Sequence, residues 1–197
     1  MSYELINDPY VDRSTGILRN LLEISSSSEL AKVEGDITGI QIASLAEKPV
    51  EGNFDLDHLQ AIHRRIFGSI YPWAGELRTV ELDRDSTKFA SVEYLPQAAK
   101  GLFNSLSEEK YLSSLSDEDY PVRLAHYYSE VNILHPFREG NGRVQRAFFS
   151  LLAAQSGRTI AWDRMDPNDN VSASVAAYNG DESYLVKMLA TLVSSNN

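Results

Sequence analysis

Apolar positions recur at helical spacing through most of the chain. The clearest run is "NFDLDHLQAIHRRIFGSIYPW", where Leu59, Ile62, Ile66, Phe67 and Ile70 share a face, Asp55 or Asp57 can open the helix, and Pro72 lies beyond its end. Ser27 or Ser28 ahead of Leu30, Val33, Ile37, Ile40 and Ile42 predicts a capped amphipathic helix rather than a serine-rich linker. Further helices are predicted over 97–106, over 121–134 with Pro121 in the first turn, and from Val144 through Leu152 to near Gly157. Two more fall around 171–178 and 181–193, separated by an Asn-Gly pair. The first 24 residues carry turn chemistry at "NDPY" and then Ile17, Leu18, Leu21 and Leu22, which predicts one short docked helix.

One stretch has a different period. From Leu77 to Leu95 apolar and polar residues roughly alternate around a polar "DRDS" tip, predicting a β-hairpin. The expected fold class is therefore mainly α, a helical bundle carrying one hairpin. With 197 residues the chain is long enough for a single core. One domain is expected over 1–197, with an N-terminal helical segment to about residue 50, a core over 54–157 and C-terminal helices over 158–197.

Charge narrows the partners. Lys and Arg number 18 against 28 Asp and Glu, a formal net charge of -10, so the mean field repels nucleic acid and anionic membrane. The absence of cysteine removes disulfides and thiolate metal sites and fits a reducing compartment. No secretion signal or membrane-length apolar run is visible, which leads to the expectation of a soluble, cytoplasmic protein, with export to a host cell left open.

Against that acidity, "HPFREGNGRVQR" over 135–146 gathers a histidine, a carboxylate, two glycines around an asparagine, and three arginines. Gly140-Asn141-Gly142 just before a helix is either a tight turn or a nest of backbone N–H groups at a positive helix end. Arg143 and Arg146 lie in the first helical turn, where cations oppose the macrodipole. They form either a solvated basic face or a forked grip on a polyphosphate. Glu139 either pairs with Arg138 or acts as the one carboxylate that Mg²⁺ can use together with substrate phosphates. Pro136 ends the incoming helix and Phe137 anchors the loop. His135 is the general base of the cluster, whereas His58, His63 and His126 read as structural. No zinc spacing occurs.

The same twelve residues resemble the Fic-domain signature H-x-F-x-[D/E]-G-N-G-R-x-x-R at every defined position. "NDPYVDRSTGILRNLL", "FDLDHLQAIHRRIFGSIYPWAGELRTV", "STKFA" and "WDR" extend the likeness to short bacterial Fic toxins and Fic domains of secreted effectors. The resemblance implies a mostly helical Fic fold and AMP transfer from ATP to a Ser, Thr or Tyr hydroxyl of a target protein, with ATP as substrate and Mg²⁺ as cofactor. It makes His135 the base, Glu139 the Mg²⁺ ligand, and Gly140, Asn141 and Gly142 the anion hole. Arg143 and Arg146 hold the β and γ phosphates, and Arg138 joins the nucleotide-binding set. The hairpin becomes a flap that aligns the target, with Lys88 and Phe89 over nucleotide and acceptor.

The resemblance also implies partners. Similar toxins modify the ATPase subunits of DNA gyrase and topoisomerase IV, so one of these is the expected target, without contact to DNA. Relatives are restrained by a glutamate in [S/T]-x-x-x-E-[G/N] that pairs with the second motif arginine, here Arg146. Here the nearest segment is "LAKVEG", with Leu30 in the Ser/Thr position ahead of Glu34 and Gly35, which reads as an ordinary amphipathic helix. A separate small antitoxin contacting Arg146 is therefore expected. Two alternatives stay open: a relative that transfers phosphate instead, and a catalytically silent binding module.

Overall fold

The computed structural model describes residues 8–84 and 87–195. Its centre is α5 (Asn141–Gln155), in which Val144, Phe148, Phe149 and Leu152 are fully buried. A helix apolar on more than one face must be covered on several sides. Helix α2 (Leu56–Phe67) and α4 (Tyr120–Leu134) supply two of those covers. Helix α3 (Leu95–Glu108) packs on α4, α6 (Pro167–Tyr178) and α7 (Ser183–Leu192) pack on α4 and on each other, and α1 (Ser27–Ser44) lies along α2. This is the mainly helical architecture that the periodicity predicts. Among the described residues no helix is long and apolar enough to cross a membrane.

Among the described residues three short antiparallel pairs decorate the bundle: β1 (Val11–Asp12) with β2 (Ile17–Leu18), β3 (Asp83–Arg84) with β4 (Thr87–Lys88), and β5 (Arg158–Ile160) with β6 (Val193–Ser195). The predicted flap exists, but its ladder is confined to the two pairs Asp83–Lys88 and Arg84–Thr87. Residues 85–86, the end of the expected "DRDS" tip, lie outside the described residues.

The short helix predicted in the first 24 residues is corrected by β1 and β2, while residues 1–7 lie outside the described residues. Local polar groups decide the outcome. The Asp12 carboxylate accepts from the Ser14 N–H (2.8 Å) and hydroxyl (2.6 Å), and Gly16 turns the chain at φ 71°. Asn20 then bonds Leu18 and both backbone groups of Ile24, so the apolar run 17–22 never winds. Helix α1 is capped by Ser26 rather than Ser27 or Ser28, and Ile40, expected on its buried face, is 69% exposed. Its buried stripe is instead Leu30, Glu34 and Thr38. The last helix stops at Leu192, because Val193 pairs with Ile160 in β5–β6.

Helix α7 tests how far the bundle depends on its last element. Leu189 is fully buried. Leu189→Ala is expected to cost about 2–5 kcal/mol in urea unfolding, because the removed methyl groups leave a cavity against a packed neighbour.

Candidate functional site

The site is built where α4 ends and α5 begins. His135 closes α4 in the left-handed region at φ 42°, ψ 58°, a conformation that costs a residue with a Cβ roughly 1–2 kcal/mol and must be held by its surroundings. Two residues on, Phe137 is clamped. Its N–H donates to Asn141 Oδ1 (2.9 Å) and its carbonyl accepts from Asn141 Nδ2 (2.7 Å). The Asn141 side chain therefore closes the loop, and what Asn141 offers an anion is its backbone N–H at the first turn of α5.

Gly140 is the cap residue of α5 at φ 82°. A Cβ there would sit 2.3 Å from the Phe67 ring, so only glycine lets the loop lie on that ring. Gly140 N–H donates to Glu139 Oε1 (2.8 Å). A Cβ on Gly142 would stand 3.3 Å from Arg146 Nη1, which places that guanidinium beside the nest.

The three arginines take different partners. Arg138 Nε donates to Asp8 Oδ2 at 2.8 Å, so the alternative in which it pairs with Glu139 is replaced by a contact to the N-terminal segment. Arg143 reaches back to α1: Nη2 meets Glu34 Oε1 at 2.5 Å, Nη1 donates to Thr38 Oγ1 at 3.2 Å, and the guanidinium lies 4.8 Å over the Phe67 ring. Glu139 Oε1 is 3.5 Å from the same Nη2. Arg146 stands near the buried Tyr128 hydroxyl, which donates to Asn170 Oδ1 (3.0 Å). Burial raises the Tyr128 phenol, and the Arg146 charge opposes that rise.

Leu30 breaks the inhibitory pattern around Glu34, yet the Glu34 carboxylate sits beside the motif. It is 9% exposed, accepts a hydrogen bond from the Tyr71 hydroxyl and pairs with Arg143, not Arg146. Burial, and then the Glu34 carboxylate, push the Tyr71 phenol well up. The signal that could have exposed this role is the i, i+4 placement of Glu34 and Thr38 on one face of α1.

His63 is structural, as expected, but what it supports is the motif. It is fully buried, stacked between Phe137 (4.0 Å) and Phe67 (4.8 Å). Its Nδ1 accepts from the Gly75 N–H (2.7 Å), and its Nε2 faces the Glu139 carbonyl (3.1 Å). The flap lies across the opposite wall. The Phe89 ring stacks on the His135 ring at 3.8 Å and 16°, and the exposed Lys88 donates its backbone N–H to the Tyr178 hydroxyl (3.3 Å).

A cavity of about 390 Å³ is lined by Phe89, His135, residues 138–143 and Arg146, with Leu82 and Asp83 of the flap. It gathers all the predicted site residues except Lys88. A larger, mostly apolar cavity of about 590 Å³ lies between the end of α1, residues 49–54 and α5, away from this chemistry. Among the described residues no cluster of three acidic or histidine side chains could cage a metal. The 42% exposed Glu139 carboxylate instead fits a hard cation completed by phosphate oxygens and water.

The sequence and the fold are similar to those of known proteins. The family model described as Fic/DOC matches residues 53–153. Protein adenylyltransferase VbhT of Bartonella schoenbuchensis is 37% identical over 95% of the chain, which spans 39% of that longer protein. The probable protein adenylyltransferases Fic of Salmonella typhimurium and Escherichia coli are 36% and 34% identical, and here the chain spans 88% and 92% of their lengths. The crystal structure of BepC from Bartonella tribocorum with bound AMPPNP superposes with TM-score 0.89 at 22% identity, covering 95% of this chain and 97% of that one.

His63 gives the site a pH-dependent support. Burial pushes its pKa from 6.5 down to about 4, so between those values the unfolded chain holds the extra proton. Its stabilising effect is complete above pH 6.5 and falls away as pH drops toward 4, by about 3 kcal/mol. Urea unfolding at pH 7 and pH 4 should show His63→Gln losing less stability on acidification than wild type by about that amount; equal losses would remove His63 from this role.

Proposed function

We propose that the chain, which belongs to the Fic/DOC family, moves AMP from ATP to a hydroxyl of a protein. The observation that carries this reading is a single cleft in which His135 faces a backbone nest flanked by Arg143 and Arg146. An anion is captured there locally, in a chain whose formal net charge of -10 would otherwise repel it.

In the proposed reaction His135 accepts the proton of the acceptor hydroxyl while that oxygen attacks the α phosphorus, and the bond to the β-phosphate oxygen breaks to release pyrophosphate. The N–H groups opening α5 and the Arg146 guanidinium hold the leaving phosphates. Arg143 must share its fork between Glu34 and a phosphate. Glu139 is the residue that would hold Mg²⁺, whose charge would neutralise the phosphates. Phe89 covers the face of the His135 ring, and the flap backbone on either side of it presents the target.

The reading extends to partners. A bacterial toxin role with gyrase or topoisomerase IV ATPase subunits as targets accords with the named relatives' adenylyltransferase activity and with an acidic chain whose mean field repels DNA. A small antitoxin supplying a carboxylate to Arg146 accords with the ion pairs: among the described residues Arg146 has no carboxylate partner, while Glu34 is committed to Arg143 and Tyr71.

ATP labelled at the α phosphate should mark protein, and γ-labelled ATP should not; the opposite pattern establishes phosphate transfer. His135→Ala should abolish transfer with ATP binding retained, whereas Glu139→Ala should weaken Mg²⁺-dependent ATP binding. Glu34→Gly in the isolated chain should give no gain in modification, and a strong gain would show that the protein restrains itself.

A further inference from the structure

Among the described residues Arg78 is one of the largest fully buried side chains, with none of its side-chain surface exposed. Burying a guanidinium is costly unless its donors are met, and here they are met by carbonyls of three separate chain segments. Nε donates to the His135 carbonyl (2.7 Å), Nη1 to Val80 (2.9 Å), and Nη2 to Ala90 and Leu134 (3.5 Å to the latter). Its backbone N–H donates to the Pro136 carbonyl (2.9 Å). The nearest carboxylate, Glu81, is largely exposed and 3.5 Å away.

Ordinary helix closure does not need this. Helix α2 ends on the Gly68 N–H to the Arg64 carbonyl, and α1 ends on the Leu45 N–H to Ile42 and Ala43 with only its own Ser44 hydroxyl added, to Gln41. What distinguishes the end of α4 is that the residue there is His135 in a left-handed conformation. The direction of its imidazole follows from that backbone. Arg78 grips the carbonyls on both sides of the His135–Pro136 turn and, through Val80 and Ala90, both legs of the flap. Ala90 is further tied by its N–H to the Ile133 carbonyl (2.9 Å), and it directly follows Phe89, whose ring covers His135.

We propose that Arg78 is a positioning residue for the transfer reaction: it locks the backbone of His135 and the base of the flap into one unit, so the base and the surface that presents the target keep a fixed relation. The planar fork is what allows this. Lysine carries the same charge but offers three donors from one point and cannot span the four carbonyls. Glu81 extends the clamp outward, since its Oε1 accepts from Ser91 Oγ and Val92 N–H, both at 3.0 Å, on the returning leg. The phosphate nest and Arg146 stand outside this network, so ATP binding should be indifferent to it.

The inference rests on the AMP-transfer reading, and its test separates the two. In the wild-type chain, contacts between the Phe89 and His135 rings should be visible as NMR cross-relaxation, whatever the reaction. Arg78→Lys should weaken or abolish them, lower kcat for incorporation of α-labelled ATP on the order of a hundredfold, and leave the Kd for ATP within about twofold. Unaltered ring contacts and kcat in Arg78→Lys would overturn the proposal, as would a folded Arg78→Lys that loses ATP binding in proportion to kcat. If Arg78→Lys does not fold, Glu81→Ala loosens the clamp from its exposed end. It should weaken the Phe89–His135 contacts with ATP affinity unchanged, and full-strength contacts there would refute the coupling. A wild type with intact ring contacts that fails to transfer AMP would sink the function reading alone.

Discussion

The two hydrogen bonds between the Asn141 amide and the backbone of Phe137 are the constraint on which the rest of the site depends. They draw the end of α4 against the start of α5 and hold the intervening residues in a tight loop. Phe137 then plugs the core beside His63, which reports the same packing to the other side of the loop through the Glu139 carbonyl. Local closure, aromatic burial and one satisfied histidine thus form a single rigid base. On that base Gly140 can lie flat on the Phe67 ring, and the chemistry-bearing side chains can project without carrying the fold themselves.

The division of the motif arginines follows from what surrounds that base. Two cations at the positive end of a helix repel the macrodipole and each other. The fold answers by sending them apart, Arg143 to the Glu34 and Thr38 stripe of α1 and Arg146 to the hydroxyl of Tyr128 on α4. Helix α1 therefore contributes more than a hydrophobic cover. Its buried face is polar in the middle because it is written against a guanidinium.

Most of the helices were legible because their apolar residues serve one large core, and the motif was legible because its residues are contiguous. What escaped the sequence was set by contacts across long separations or by short-range polar competition. Ile17 and Leu18 look helical until Asp12 and Asn20 capture the backbone around them. Val193 reads as a last helical turn until Ile160 offers it a ladder. The identity of residue 30 hides Glu34 in the sequence, because its role depends on Arg143, far along the chain. Arg78 carries no signal in the sequence, since nothing local reveals that four carbonyls will surround it.

The stacked pair of Phe89 and His135 has a directional consequence. An imidazole nitrogen holds its lone pair in the plane of the ring, whereas stacking occupies only the space above that plane. An aromatic lid at 3.8 Å thus dries one face of the histidine without touching the orbital that receives a proton. Any group that exchanges a proton with His135 must come edge-on, in the ring plane, so the phenyl ring selects approaches by angle as well as by size.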